Sequence, residues 1–361
     1  MLFHPRFWGL LAALLTVLPT SDGTAWPARA TEPTPGALNR YTAEERLMGM
    51  DFHLTFYAPD EPTANRASKA VFARIKQLNG VLSDYDPESE LRRLSATAGS
   101  GKDVAVSADL FTVLAAGQEL SQASDGAFDL TVGPLVQLWR KSRRAKQLPP
   151  DEFLEKARLA TGFRHLQLDA QKRTVRLAQP GMQLDCGGIA VGYALDEGLT
   201  LFRTLGIHSA MIDGSGDIAV SDPPPGEPGW RIGVAPLEPE GPASQTLLLK
   251  HCAVTTSGDA WQHVEIDGVR YSHIVDTRTG LGLTTHSSVT VIAPTGIAAD
   301  SYATAACVLG PQAGTLLLEK TPSAAGLFLT ESKGTTSTTT TSRWSSFLAP
   351  ASQKPNTHHE K

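Results

Sequence analysis

Two alternating runs, His263–Ile266 and Val269–Val275, are separated only by Asp267-Gly268. A two-residue Asp-Gly connection suits positive φ at both positions and matches the twist of antiparallel strands, so this stretch reads as a tight hairpin. A second hairpin is predicted where His165–Asp169 and Arg173–Leu177 flank Ala170-Gln171-Lys172. Single helices fall between such pairs. One starts near Thr63, places Val71, Ile75, Leu78 and Leu82 on one face, and ends at Asp84-Tyr85-Asp86-Pro87. Another starts at Ser107, a good N-cap, and runs toward Ser121 with Leu110, Val113, Leu114 and Leu120 inward. Asp151–Thr161, Ile189–Leu205 and Gly296–Leu309 are also predicted helical, closed by Gly162, Gly206 and Gly310. Further strands are predicted at Phe52–Tyr57, Met182–Asp185, Ser209–Asp213 and Ser287–Ala293, and the Thr/Ser-rich Gly334–Ser342 reads as a mobile hairpin tip. Hairpins mixed with single helices point to an α+β fold: mixed or antiparallel sheets with packed helices, and no alternating parallel sheet.

The composition sets outer limits. The chain has 361 residues, 41% apolar and 19% charged, with 32 Lys+Arg against 37 Asp+Glu and a formal charge of −5. That suits one large or two modest cores, and it excludes collagen-like, coiled-coil and multi-span membrane classes. A mildly acidic chain without a basic run is not built to bind nucleic acid generally. A phosphate-bearing ligand must then be held by local backbone amides or a metal.

The N-terminus has the pattern of an export signal. His4 and Arg6 precede an apolar run from Phe7 to Leu18, which is shorter than the ~20 residues a spanning helix needs. Pro19 breaks the run, and Ala28-Arg29-Ala30 offers a cleavage site. The expected organisation is a signal peptide over 1–30, a linker over 31–40, one domain over 41–348 and a disordered tail over 349–361. The protein is expected to be exported, periplasmic or in the cell envelope, and soluble once the signal is cleaved. An odd cysteine count (Cys186, Cys252, Cys307) allows at most one disulfide, and no C-x-x-C spacing suggests zinc. Cys252 and Cys307 lie in apolar runs and are expected to be buried.

Three stretches could carry chemistry. The first is a set of Gly-containing turns: Ser124–Asp129, Asp185-Cys186-Gly187-Gly188 and Gly214-Ser215-Gly216-Asp217. Free amides and a helix dipole at such junctions can hold an anion, although each turn taken singly reads first as an ordinary tight turn. None follows the Walker pattern, and no G-x-G-x-x-G opens a helix. The second is Ala298–Thr304. In a helix, Asp300 and Thr304 share a face and offer hard oxygen ligands suited to Mg²⁺; alternatively they are a first-turn Asp and a Thr bonded back to its own helix. The third is Thr255–Asp259 with Tyr271–Gly280 (YSHIVDTRTG), where His273 beside hydroxyls and Asp276 suits acid/base work or phosphate contact, or else Asp276 caps a structural turn.

Taken together, these segments resemble the ApbE family, the FAD:protein FMN transferases. The matching stretches, in order, begin with Met48-Gly49-Met50, Leu82-Ser83-Asp84-Tyr85, Ser124–Trp139 and Leu184–Asp196. They continue with Gly214–Asp217, Thr256-Ser257-Gly258, Tyr271–Gly280 and Ser288–Gly310. The resemblance implies that FAD binds with Mg²⁺ and that its FMN half passes to a Thr or Ser of an acceptor protein through a phosphoester, with release of AMP. It implies FAD contacts at Met48, Tyr85, Ala127, Phe128, Asp129, Asp185 and Ile274. It implies metal ligation by Asp300, Thr304 and the main-chain oxygen of Gly188, and a role in transfer for His273. Val191 is a further implied FAD-contact position; it stands where the family often has Lys, so that contact is either main-chain or lost. Ser215 stands where the family commonly has Gly, and Thr277 where Pro is common. Tyr85 and Phe128 offer ring surface for stacking on the flavin or adenine. The implied acceptor is an extracytoplasmic protein carrying a Thr/Ser flavinylation motif, with no nucleic acid involved and membrane contact only through acceptor complexes. Hydrolysis of FAD to FMN and AMP, or FAD binding without reaction, are the alternative readings.

Overall fold

The computed structural model describes residues 38–350, apart from 238–242, 261 and 333. The signal-peptide reading, the linker up to residue 37 and the tail from 351 lie outside the described residues. The chain opens with β1 (Asn39–Leu47) and β2 (Met50–Ala58), then α1 (Glu61–Leu82), α2 (Glu90–Ser95), β3 (Val104–Ala105) and α3 (Ala108–Ala123). It continues with α4 (Gly133–Ala145), α5 (Asp151–Leu159), β4 (Leu166–Asp169), β5 (Thr174–Leu177) and α6 (Ala190–Thr204). Next come β6 (Ala210–Gly214), β7 (Asp217–Val220), β8 (Trp230–Val234), β9 (Gln245–Leu249), β10 (Cys252–Gly258), β11 (His263–Ile266) and β12 (Val269–Ser272). It closes with β13 (His286–Ala293), α7 (Gly296–Lys320), β14 (Ala325–Ser332) and β15 (Thr335–Thr340).

Eight strands form one sheet in the order β1-β2-β6-β7-β10-β13-β14-β15, and each neighbouring pair runs antiparallel. The sheet is covered on both faces at β13. Val289 and Val291 pack with Ala303 and Ala306 of α7, while Ile292 packs with Trp230, Ile232 and Leu247 of the β8–β9 pair. Successive side chains of a strand point to opposite faces, so cover on both sides buries every residue from Ser287 to Ala293, the hydroxyls of Ser287, Ser288 and Thr290 included. The main core lies over the other half of the sheet, where Phe52, Leu54 and Phe56 of β2 meet Val71, Ile75 and Leu78 of α1. Helix α1 starts where Asp60 accepts from the Thr63 N–H, and α3 where Ser107 accepts from the Leu110 N–H.

Several expectations need correction. Met182–Asp185 is no strand; Gln183 makes an isolated parallel bridge to Val132, and the chain then turns at Asp185, whose carboxylate accepts from the Gly187 N–H. β12 stops at Ser272, whose hydroxyl accepts from the Ile274 N–H and ends the ladder. Residues 335–340 are no loop tip: they form an edge strand on β14, in keeping with the β-propensity of threonine. The expected stop at Gly310 is present, since Gly310 leaves the helical path at φ 75°, but a second helical stretch, counted here within α7, restarts at Pro311. Asn39 and Arg40, assigned to the linker, already belong to β1, and Ala349, assigned to the tail, donates to the Thr246 carbonyl. All three cysteines are free thiols; Cys186 and Cys307 are buried and Cys252 is half-buried.

Candidate active site

Two glycines let α6 and α7 touch. A Cβ on Gly192 would stand 2.1 Å from the Gly296 carbonyl oxygen, and one on Gly296 would stand 2.3 Å from that of Gly192. This close crossing lets the Gly192 N–H donate to the Asp300 carboxylate at 3.0 Å. Asp196, one turn further along α6, accepts from the Gly296 and Ile297 N–H groups and so caps α7 from outside, alongside Thr295.

Asp300 is 6% exposed. Burial pushes its carboxyl well above the usual range, opposed by the Gly192 hydrogen bond. Asp217 at the start of β7 is pushed up as well, by burial and by the charge of Asp300. One turn beyond Asp300, the Thr304 hydroxyl lies 3.3 Å from that of Ser257 at the end of β10. Gly188 closes on the same hydroxyl, which a Cβ there would approach to 2.7 Å. A buried carboxylate, a threonine hydroxyl and a close main chain, with no basic side chain paired to Asp300 or Asp217 among the described residues, are a donor set that fits a hard divalent ion such as Mg²⁺.

A second group of residues adjoins this one through the 185–188 turn. Asp185 accepts from the Gly187 N–H at 2.8 Å and from the Arg140 guanidinium at 3.3 Å. Burial, then the charge of Asp84, push its carboxyl up to about 6 against the pull of Arg140. Arg140 also pairs with Asp84, and its guanidinium carbon lies 4.2 Å from the Tyr85 ring centroid. Tyr85 itself is 76% exposed.

A third group carries His273. The Trp139 indole N–H donates to the Ser272 carbonyl at 2.9 Å, fastening α4 to the end of the β11–β12 hairpin. Thr277 donates its hydroxyl to the Gly126 carbonyl at 2.7 Å, joining the 276–280 turn to the Ser124–Asp129 loop. The Asp276 carboxylate is occupied by Arg278, as a turn cap requires. Ile274 packs on the α7 cluster that includes Ala303 and Cys307. His273 is half-buried, and its Nδ1 lies 3.2 Å from the Gln262 carbonyl oxygen. A carbonyl only accepts, so Nδ1 carries the proton and Nε2 is the basic nitrogen. Burial lowers the His273 pKa below its ordinary value, and the charge of Arg143 lowers it further.

The remaining expected contacts are more scattered. Both Asp129 oxygens are taken up internally, by the Thr131 N–H and hydroxyl and by the Phe163 N–H. Phe128 is 5% exposed and belongs to the main core, so its ring is not the open stacking surface that Tyr85 is. Ala127 is buried beside it. Val191 is buried, and it is the side chain a Cβ on Gly214 would meet at 3.0 Å, so it packs toward the sheet. Met48 occupies the β1–β2 turn at φ 51° and packs on the edge of the main core. Sequence reasoning missed Arg140, and it placed Asp217 and Ser257 inside candidate stretches without giving either residue a role. Arg140 was findable in principle: it follows Trp139, whose spacing from Leu135 marks the inner face of a helix.

The family model for ApbE matches residues 48–328. The chain belongs to the ApbE family. Among curated relatives, the FAD:protein FMN transferase of Treponema pallidum is 32% identical over 311 residues, covering 81% of this chain and 85% of the relative. That of Haemophilus influenzae is 29% identical over 299 residues, covering 80% and 86%. The crystal structure of the flavinyl transferase ApbE from Pseudomonas stutzeri, in its apo form, superposes with a TM-score of 0.77 at 31% identity, covering 87% of this chain and 98% of that one. Membership accounts for the α+β architecture and for the order in which the site segments occur along the chain.

Proposed function

We propose that this protein moves the FMN half of FAD onto a Thr or Ser hydroxyl of an acceptor protein, in a Mg²⁺-dependent reaction that releases AMP. The observation that carries the reading is the α6–α7 crossing, where Asp300 accepts from the Gly192 N–H and Thr304 lies against Gly188, while Ile274, next to His273, packs on the α7 cluster and Arg140 links Asp185 to Tyr85. Family membership and the names of the relatives point the same way.

Asp300, Thr304 and the Gly188 carbonyl would hold the Mg²⁺. Bound there, the ion supplies charge neutralisation for the pyrophosphate and for the departing phosphate. Tyr85 offers an open ring face to a ring of the dinucleotide. His273, neutral at physiological pH, takes the proton of the attacking hydroxyl on Nε2. The hydroxyl oxygen bonds to the FMN phosphorus as the phosphorus–oxygen bond to AMP breaks, and the electron pair leaves with AMP. We also take the protein to be exported by its first thirty residues, with an extracytoplasmic acceptor.

The test is mass spectrometry of an acceptor domain incubated with the protein, FAD and Mg²⁺. An adduct of one FMN per acceptor, with matching AMP release, is the expected result. FMN and AMP appearing at the same rate without acceptor would instead identify a pyrophosphatase, and an unmodified acceptor with intact FAD would leave a binding protein.

A further inference from the structure

The mechanism above leaves Arg140 without a task, yet few side chains near the site are as fully engaged. It reaches from α4 to two carboxylates on separate segments, Asp84 after α1 and Asp185 before α6. Both acids are nearly covered, with side chains 10% and 9% exposed, and Arg140 itself is 24% exposed. The same guanidinium lies over one face of the Tyr85 ring. Tyr85 remains 76% exposed, so its other face is open.

These contacts have one consequence for an anionic dinucleotide. Without a cation, the two acids would repel each other and any phosphate brought near them. A guanidinium neutralises one of the charges, and its planar fork fixes both carboxylates while its flat surface backs an aromatic ring. An otherwise free tyrosine is thereby held as a platform, which lowers the ordering cost of stacking a ligand ring on it.

We propose that Arg140 is a positioning residue for FAD: it clamps Tyr85 from behind and ties down Asp84 and Asp185 while offsetting one of their two charges, so that the dinucleotide meets a fixed ring in place of a mobile ring beside two unpaired acids. The proposal rests on the reading of this site as the FAD site.

The experiment is FAD titration of the full chain by flavin fluorescence, in wild type, Arg140→Met, Arg140→Lys and Tyr85→Ala. The Met variant keeps the apolar stem without the charge, and Lys keeps the charge without the fork or the flat face. The expected result is at least tenfold weaker FAD binding in Arg140→Met and an intermediate loss in Arg140→Lys. In turnover with acceptor, the KM for FAD should rise with kcat within about twofold of wild type, as loss of ground-state positioning predicts. Arg140→Met combined with Tyr85→Ala should be no weaker than Tyr85→Ala by more than the loss of charge alone, because the ring is the shared element. FAD binding by Arg140→Met and Arg140→Lys within twofold of wild type overturns the proposal and leaves the flavin reading intact. Absence of FAD binding by the wild type overturns the flavin reading itself. If Arg140→Met does not fold, the Lys variant decides the matter through the same titration.

Discussion

His273 has its Nδ1 proton committed to the Gln262 carbonyl, which fixes the tautomer with Nε2 free to accept, and burial lowers its pKa against the pull of that hydrogen bond. In the folded protein the ring therefore loses its proton at lower pH than the ordinary histidine value of about 6.5. Transfer rate plotted against pH should rise to a plateau with the midpoint of its acid limb below that value. His273→Ala should lower the rate by about 10²–10⁴-fold, the usual worth of a general base, and flatten that limb, with FAD affinity kept. Asp300 makes the opposite kind of prediction. A carboxylate buried without a cation weakens the folded state. Asp300→Asn keeps an acceptor for the Gly192 N–H, so in the absence of Mg²⁺ it should melt at the same temperature as the wild type or higher. It should lose both the rise in melting temperature that Mg²⁺ gives the wild type and the transfer activity.

Among the elements, α6 and α7 do most to build the site, because the contact between Gly192 and Gly296 sets how close Asp300 comes to the Gly192 N–H and Thr304 to Gly188. No side chain larger than hydrogen fits that crossing. Gly192→Ala must push the helices apart, and overpacking of this kind typically costs about 1–3 kcal/mol. Chemical denaturation should register that loss, and Mg²⁺ should stabilise the variant less than it does the wild type, since Asp300 and Thr304 move away with α7. The α4 helix has a different task. Trp139 holds the His273 hairpin on one side while Arg140, the next residue, faces Tyr85 and the two acids. A single turn of helix thus joins the segment bearing the base to the segment bearing the ring.

For the whole molecule, one antiparallel sheet carries the site on its α6–α7 face and a second small core under the β8–β9 pair on the other. Among the described residues, no helix is long and apolar enough to cross a membrane. The export reading has a direct check: protein recovered from the cell envelope fraction should begin at Thr31, read by intact mass. A chain that keeps residues 1–30 after secretion would argue for an N-terminal anchor in place of a cleaved signal.

Local chemistry made much of this protein readable. Asp267-Gly268 specified its hairpin through the φ values of 50° and 75° that it adopts, Asp60 and Ser107 sit at helix starts because their side chains satisfy amide groups there, and Asp300 and Thr304 share a face because a helix repeats every three to four residues. These features depend on neighbours a few residues apart. The tertiary structure alone decided the rest. Gly192 is next to Gly296 across 104 positions of sequence, and Arg140 meets Asp84 and Asp185 at separations of 56 and 45. Burial of Asp300, and the turning of the Asp129 carboxylate inward to Thr131 and Phe163, likewise follow from packing. No local pattern encodes which distant segment will arrive, because that choice is made by the whole core as it closes.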